Sequence, residues 1–483
     1  MRVPGAGVAL ALVAAWLAAS GCVGSRGAHV PLGGCGRPEG CERTGSGRGP
    51  APRPTTAATA IIAATDELQG PPPPGVRLPG WLPRAELYWD GALRYRLFAE
   101  PKVSFANGTP DVSRGEEPLI AGRVGFKLHV DGAGFVSAGG AKDIAGGFEV
   151  RRAFLTSAGV FRLPHPLQYN LEFGLLDGRI YLDSAWIQAR DVPWVGSLKF
   201  GGLDAPIGFE NVVSSRDRTF MELPAPVQAF VPATSLGLEA QRPYHDGRGT
   251  WALGWFTVGQ RRDVGDQSRA LARVVGRTTW LARDREDGAE PTSRWPELVH
   301  LGIAGAYTFA GADEVHYQAR PESFLAPSAV DTGRIPASSA FVLDLEATAR
   351  RGPLSLQGEV LNAFVNHGSA GFPGFYLQAS YLLTGEIRPY DREQAVFGQV
   401  VPLRPLSLRA RTLGAAECAA RWSWVDLDDG DVRGGRMHVL GAGFNWYWNR
   451  WVRWQANYEL ALVDGGRFDG RVHVFQARFQ LVL

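Results

Sequence analysis

The stretch VRWQANYEL at residues 452–460 alternates apolar and polar side chains without interruption. Its apolar members are Val452, Trp454, Ala456, Tyr458 and Leu460, and every residue between them is polar. Successive side chains of a β-strand point to opposite faces, so this period of two predicts a strand with one apolar and one polar face.

The same alternation recurs at residues 168–173, 341–347, 375–383 and 475–483. It begins near Arg84 and predicts an all-β fold for the rest of the chain. Alternation alone fits two architectures. A soluble sandwich turns its apolar face inward to a core, whereas a transmembrane barrel turns it outward to lipid and its polar face to a wet lumen.

Three features favour the membrane barrel. Aromatic residues cluster beside a short turn, at Trp446, Tyr447, Trp448 and Trp451, as expected of an interfacial girdle. The final alternating stretch runs to Leu483, and an export signal precedes the β-rich region. At about 25 residues per strand with its connection, residues 84–483 predict a transmembrane antiparallel β-barrel of about 16 strands, wide enough for an aqueous channel.

The N-terminus predicts export. Residues 1–21 combine Arg2, an apolar stretch and small residues, which is typical of a signal peptide. The box Ala19-Ser20-Gly21-Cys22 makes Cys22 a candidate for lipid attachment, with ordinary cleavage at residues 18–21 as the alternative. Residues 22–83 are rich in Pro, Gly and Ala and predict a disordered spacer before the barrel at 84–483, with Cys35 and Cys41 able to form a small disulfide loop.

Composition argues against several functions. A net charge of +2 gives no global field for nucleic acid. Neither HExxH nor CxxC occurs in the β-rich region, and the acidic run 426–431 lacks the closing Glu of a calcium loop, so we expect no metal, no cofactor and a solvated loop there. Nucleotide-binding and nucleophile motifs are also missing, which predicts that the protein is not an enzyme.

Five separate stretches carry a family resemblance. They are GFEVRRAFL (147–155), GGLDAPIGFENVVSSRDRTFME (201–222), FYLQASYLLTGEIRPYDR (375–392), GAAECAARWSWVDL (414–427) and NRWVRWQANY (449–458). In this order they resemble the phosphate-selective porin O and P family. The resemblance implies a 16-stranded barrel in the outer membrane of a Gram-negative bacterium, usually a homotrimer, with inward loops. Its characterised members pass anions such as phosphate along Arg and Lys.

Two positions depart from that family. Leu483 stands where its barrels usually end in an aromatic residue, and no Lys follows Lys199. Of the 50 basic residues only four are Lys, and GC-rich codon usage is an alternative explanation of this excess of Arg. The prediction of phosphate preference therefore rests on the family's name, whereas the prediction of a barrel also rests on the alternation of the strands.

Strand phase and family-like motifs select ten candidate pore-lining residues: Arg151, Arg152, Arg216, Arg218, Arg388, Arg409, Arg411, Arg421, Arg453 and Arg478. Such residues would favour anions in a narrow lumen. Alternatively, they pair with carboxylates to stiffen the barrel. The sequence thus predicts a passive porin for small solutes, with outer-membrane lipid as its surroundings. A barrel with a mainly structural or tethering role is the alternative.

Overall fold

The computed structural model describes residues 76–77, 85–89, 92–98, 102–106, 109–113, 118–139, 144–176, 179–257, 270–285, 297–310, 314–367, 370–467 and 469–483. The predicted leader (1–21), the lipid-attachment candidate Cys22 and all but two residues of the predicted spacer (22–83) lie outside these ranges. No described helix is long and apolar enough to cross a bilayer.

Sixteen antiparallel strands form one closed sheet. Each strand pairs with the next along the chain, and β16 pairs with β1 from Arg471↔Ala138 to Val482↔Lys127, which closes the barrel. The strands are β1 Ile120–Ala138, β2 Gly147–Phe161, β3 Leu167–Leu176, β4 Arg179–Val192, β5 Gly196–Leu203, β6 Ser235–Tyr244, β7 Gly249–Thr257, β8 Ala270–Arg285, β9 Glu297–Ala310, β10 Ser339–Arg351, β11 Leu354–Val365, β12 Gly371–Leu382, β13 Ala415–Asp429, β14 Val432–Tyr447, β15 Val452–Asp464 and β16 Gly470–Val482. The predicted fold class is confirmed.

Burial along the strands is inverted relative to a soluble protein. In β10, Phe341 and Leu345 are 37 % and 47 % exposed, whereas Asp344 and Glu346 on the opposite face of the strand are almost fully buried. The polar face therefore points into the barrel and the apolar face points outward, as expected where lipid replaces water. Tyr447, one of the aromatic residues predicted to form an interfacial girdle at 446–451, does not point outward, because its side chain is buried in the lumen.

The two rims of the barrel differ. One rim, here called the turn end, joins β2–β3, β4–β5, β6–β7, β10–β11 and β14–β15 by short connections. The opposite rim, the loop end, carries the long connections 204–234 and 311–338. The turn end also carries one long connection, residues 383–414 between β12 and β13.

The described residues also form short strands and helices outside the sixteen barrel strands. Before β1, the strands Val76–Arg77, Ala85–Trp89 and Leu93–Leu97 pair in series, and Leu93–Leu97 pairs with Ile120–Val124 of β1, beyond the end of β16. Lys102–Ala106 pairs with Thr109–Ser113. Two-residue ladders join Glu314–Val315 to Ile335–Pro336, Gln318–Ala319 to Val330–Asp331, and Tyr390–Asp391 to Val396–Phe397. Two short helices, α1 Phe209–Val212 and α2 Ala225–Phe230, lie between β5 and β6.

The lumen is partly filled by two connections that fold into it. Residues 204–234, here called the first inward loop, and residues 311–338, the second inward loop, pack together through Phe230 and Tyr317, whose ring centroids are 5.4 Å apart. Both rings are buried, and Tyr317 also packs on Phe372 of the barrel wall. This apolar contact inside a polar lumen holds the loops against the wall, so solutes have only the remaining space.

Candidate functional site: the lumen of the barrel

The remaining space is a cavity of about 1100 Å³ along one half of the barrel. Lumen-facing side chains of β1 to β8 form its outer wall. The first inward loop and the segment 383–414, here called the turn-end segment, form much of the opposite wall. Any solute that crosses the barrel here therefore meets side chains from β1 to β8 on one side and loops on the other.

Two consecutive arginines reach this cavity because of a β-bulge. In the pairing of β1 with β2, His129 faces Arg152 and Val130 faces Val150, so Arg151 is an extra residue. A regular strand would turn one of the two arginines to the lipid, whereas the bulge lets both face the lumen. Period-two phase alone could not have placed both side chains.

Arg151 and Arg152 contact the loops across the cavity. The Arg151 guanidinium lies 3.6 Å from the centroid of the Phe324 ring and 3.6 Å from a carboxylate oxygen of Glu222. Arg152 donates a hydrogen bond of 2.8 Å to Ser215. The bulge therefore lets Arg151 contact both inward loops while Arg152 contacts the first.

The segment 216–222 of the first inward loop is held by its backbone. Side chains that project into the lumen donate hydrogen bonds to six of its carbonyl oxygens: Gln480 to Arg216, Arg388 to Asp217, Arg453 to Arg218, Asn445 and Gln455 to Thr219, Arg478 to Met221, and Arg421 to Glu222. Buried carbonyl groups require such partners. The backbone of this segment is thus fixed on the wall, and only some of its side chains border the cavity.

Four of those side chains are charged and border the cavity: Arg216, Asp217, Arg218 and Glu222. Burial alone would raise the pKa of Glu222, but Arg151, Arg478 and Arg152 outweigh it and lower that pKa to about 2. Glu222 is therefore a permanent negative charge at neutral pH. It subtracts from the positive field of the arginines around it.

Positive charge nevertheless dominates the cavity, with eleven basic side chains against seven acidic ones. Several of the basic groups have no carboxylate at ion-pair distance among the described residues: Arg123, Arg152, Lys199, Arg218 and Arg450. A cation in a narrow lumen without a fixed counter-charge attracts mobile anions. The arrangement can therefore concentrate small anions.

The ten candidate residues from the sequence occupy three different environments. Arg151, Arg152, Arg216 and Arg218 border the cavity. Arg388, Arg421, Arg453 and Arg478 are buried against the first inward loop and do not border it. Arg409 and Arg411 are exposed in the turn-end segment and are also absent from its lining.

Three of the four buried arginines also pair with carboxylates, in addition to their hydrogen bonds to the loop. Arg478 makes two hydrogen bonds to Asp131, of 2.7 and 2.6 Å, and one of 2.8 Å to Glu222. Arg388 pairs with Glu417 and Arg421 with Glu322, while Arg453 donates to Gln455 at 2.7 Å. Buried charges need such partners, so these arginines serve the packing between wall and loop.

A cluster of carboxylates, which sequence reasoning missed, lies beneath α1. Asp344, Glu346 and Glu359 are buried with oxygen atoms within 4.8 Å of one another, a spacing that could hold a metal ion. The backbone N–H of Gly208 donates to Asp344 at 3.0 Å, and that of Phe209 donates to Glu359. Through these two hydrogen bonds, Asp344 and Glu359 hold the start of α1. Only the pairing of β10 with β11 brings the three together.

The turn-end segment is anchored to the wall beside the cavity. Arg392 makes two hydrogen bonds to Asp284 of β8, of 2.5 and 2.9 Å, and Tyr390 contacts His300 at 2.6 Å. Asp391 between them borders the cavity. Burial raises the pKa of Asp391 to about 6, although the backbone N–H groups of Gln394 and Glu393 partly oppose the shift. This carboxyl group therefore titrates just below neutral pH.

The acidic run 426–431, predicted as a loop, is mostly strand. Residues 426–429 belong to β13, and Asp426 forms an ion pair of 2.8 Å with Arg436 on β14. Only Gly430 and Asp431 form the turn. The cross-strand arginine explains how the strand tolerates these carboxylates.

Comparison with known proteins places the chain in a family. The model of the family described as phosphate-selective porin O and P matches residues 123–483. Porin O of Pseudomonas aeruginosa is 25 % identical over 356 residues, covering 65 % of this chain and 76 % of that protein. A protein of Caulobacter vibrioides described as uncharacterised is 26 % identical over 459 residues, covering 89 % of this chain and 83 % of its own length.

Solved structures include similar barrels at low sequence identity. A loop-deletion mutant of OmpT from Vibrio cholerae gives a TM-score of 0.48 at 10 % identity, covering 76 % of this chain and all of that one. The anion-selective porin from Comamonas acidovorans gives 0.47 at 10 % identity, covering 75 % and 100 %. The family match and the closed barrel identify the chain as an outer-membrane porin of Gram-negative type, which belongs to the phosphate-selective porin O and P family.

Proposed function

We propose that this porin passes small anions in preference to cations, with phosphate among them. The observation that carries the proposal is the excess of basic over acidic side chains around the cavity, together with five basic groups that have no carboxylate partner among the described residues. The mechanism is passive diffusion through water. Partial dehydration in a narrow lumen strengthens the field of these groups on a passing ion.

Within this proposal the candidate arginines divide into two roles. Arg151, Arg152, Arg216 and Arg218 line the path. The buried arginines 388, 421, 453 and 478 hold the first inward loop in place, and Arg409 and Arg411 lie outside the path. The family's name and the anion selectivity of the Comamonas porin are consistent with anion passage.

The test is the reversal potential of purified protein in a planar bilayer across a gradient of KCl. We expect the wild type to prefer chloride. The double variant Arg151→Gln/Arg152→Gln should lower the ratio of anion to cation permeability, because it removes two positive charges from the cavity wall. The matched control Arg409→Gln/Arg411→Gln also removes two arginines and should leave the ratio unchanged.

Cation preference in the wild type would refute the proposal. Equal effects of the two double variants would show that net charge, rather than position in the lumen, sets selectivity. Added phosphate should also reduce chloride current, because both anions would use the same arginines. If phosphate has no effect on the chloride current, phosphate is not among the solutes of this channel.

We further propose a homotrimer, an export signal at residues 1–21 and lipid attachment at Cys22, on the family resemblance and the sequence pattern. Native mass spectrometry of detergent-extracted protein measures the oligomer. Processing that globomycin blocks, and that Cys22→Ala abolishes, would support the lipid; a mature protein without palmitate would contradict it.

A further inference from the structure

Strand pairing draws the carboxylate cluster beneath α1 together. Asp344 and Glu346 are successive lumen-facing residues of β10, and Glu359 of β11 lies directly opposite Glu346. All three side chains are at most 3 % exposed, and one oxygen of each lies within 4.8 Å of an oxygen of the other two. Like charges directly opposed across a sheet are destabilising, so the cluster needs something to offset its negative charge.

The described surroundings offset this charge only in part. Among the described residues, the one arginine paired with any of the three is Arg277, 2.9 Å from Glu346. His300 contacts the same carboxylate oxygen at 3.1 Å, and its other ring nitrogen contacts the Tyr390 hydroxyl at 2.6 Å. A neutral imidazole satisfies both contacts, because the hydroxyl can donate to that nitrogen. Three ionised carboxylates beside one guanidinium thus leave two negative charges without a full counter-charge.

Two oxygen atoms of the cluster have no hydrogen-bond partner among the described residues. Asp344 accepts from the backbone N–H of Gly208 through Oδ2 at 3.0 Å, while its Oδ1 is buried and unpartnered. Glu346 binds Arg277 and His300 through Oε1, while its Oε2 is buried and unpartnered. A buried acceptor without a donor has lost its hydration and gained nothing in return. These two atoms point to a ligand that binds oxygen and carries positive charge.

We propose that Asp344, Glu346 and Glu359 bind a divalent cation, with Ca²⁺ the best match. Ca²⁺ takes about six to eight oxygen ligands at about 2.3–2.6 Å, so two ligands of one ion lie at most about 5 Å apart, and the cluster meets that limit. An oxygen that accepts a hydrogen bond keeps a second lone pair for the ion. Mg²⁺ retains several of its waters, which suits a buried cluster less well.

The ion ties the barrel wall to the first inward loop. Asp344 and Glu359 already hold the start of α1 through its backbone N–H groups, so one ion fixes β10, β11 and that helix at a single point. This inference goes beyond the proposed anion preference and does not depend on it, because none of the three carboxylates borders the cavity.

The experiment measures Ca²⁺ binding to the whole protein refolded into detergent, so that lipopolysaccharide supplies no cations of its own. After treatment with a chelator, the protein is titrated with CaCl₂, and bound metal is counted by mass spectrometry after equilibrium dialysis. We expect one Ca²⁺ per chain and an unfolding temperature that rises with CaCl₂, because a ligand of the folded state stabilises it. MgCl₂ at the same concentration should act less, and the opposite order would refute the choice of Ca²⁺.

Asp344→Asn removes a charged ligand and keeps a hydrogen bond. Its amide oxygen still accepts from the Gly208 N–H, so α1 keeps this anchor. An outer partner of a metal ligand already contributes about ten- to hundred-fold to affinity, so loss of a direct ligand should raise the Kd for Ca²⁺ at least about ten-fold. In chelator, Asp344→Asn should unfold at a higher temperature than the wild type, because one of the opposed charges is gone. CaCl₂ should narrow or reverse that difference.

A second variant and a matched control complete the set. Glu359→Gln also keeps an acceptor for the Phe209 N–H and should weaken Ca²⁺ binding in the same way. Asp426→Asn makes the same change as Asp344→Asn, but in the acidic run 426–431, and should bind Ca²⁺ as the wild type does.

Three results would overturn the site. A wild type that binds no Ca²⁺ in millimolar CaCl₂ would show that a shared proton, rather than a metal ion, fills the cluster. Binding lost in Asp426→Asn and kept in Asp344→Asn would place the ion in the acidic run. Unchanged affinity in folded Asp344→Asn or Glu359→Gln would exclude these carboxylates as ligands. Heat-modifiable migration on a gel identifies the folded variants, and the wild-type titration tests the site by itself.

Discussion

Replacement of Arg478 by methionine tests whether the buried arginines hold the first inward loop. Arg478 is 1 % exposed and makes four hydrogen bonds: two to Asp131, one to Glu222 and one to the carbonyl oxygen of Met221. Arg478→Met keeps a long apolar stem and removes all four. It leaves the Asp131 carboxylate buried without its ion-pair partner.

The contacts predict two separate costs. Removing one member of a buried ion pair costs about 3–5 kcal/mol, because the other charge stays desolvated. Loss of the bond to the Met221 carbonyl costs a further ~1–3 kcal/mol, the penalty for an unsatisfied buried group. The second cost falls on the loop, so the fraction of channels with the loop detached should rise about five- to 150-fold.

Two measurements separate these costs. The temperature at which the barrel unfolds in detergent, read from the shift between folded and unfolded bands on a gel, reports the ion pair. Single-channel conductance and current noise report the loop. Arg478→Met should lower the unfolding temperature and raise the single-channel conductance and current noise. Arg471→Met, at an exposed position of the same strand, should change none of these quantities.

The double variant Asp131→Asn/Arg478→Met sharpens the test. Neutralising Asp131 removes the unpaired charge, so unfolding temperature should recover most of its loss. The bond to Met221 stays broken, so the conductance change should persist. Unchanged conductance in Arg478→Met, or a double variant less stable than the single one, would contradict the assignment of Arg478 as a holder of the loop.

Three further predictions concern the cavity. Glu222→Gln removes a permanent negative charge, so the anion-to-cation permeability ratio, measured from the reversal potential, should rise. A fall in that ratio would contradict the role of Glu222 as a negative charge that opposes the arginines of the cavity. Because the pKa of Asp391 is raised to about 6, its carboxyl group gains a proton as pH falls from 7 to 5, so anion preference should increase over that range, and Asp391→Asn should lose the increase. A Cβ at Gly443 would lie 3.3 Å from the Phe220 ring, so Gly443→Leu should displace the loop, cost about 1–3 kcal/mol and raise conductance, whereas conductance equal to the wild type would contradict that contact.

The alternation at 452–460 predicted the barrel because period two is a local property of the chain. Each strand carries its own apolar face, and the closed sheet only has to turn those faces outward. The lumen-facing phase of Arg453 and Arg478 followed from the same rule, and both side chains do point inward.

Only the tertiary structure decided what those inward arginines meet. Arg478 bonds to Met221, and Arg453 to Arg218, over sequence separations of 257 and 235 residues, so their role depends on where a distant loop folds. The bulge that turns both Arg151 and Arg152 inward depends on the register between β1 and β2. The sequence therefore determined which face of each strand is wet, because that is a local pattern. The division of the wet face into a cavity wall and a seat for the loop depends on contacts between remote segments, which local patterns do not encode.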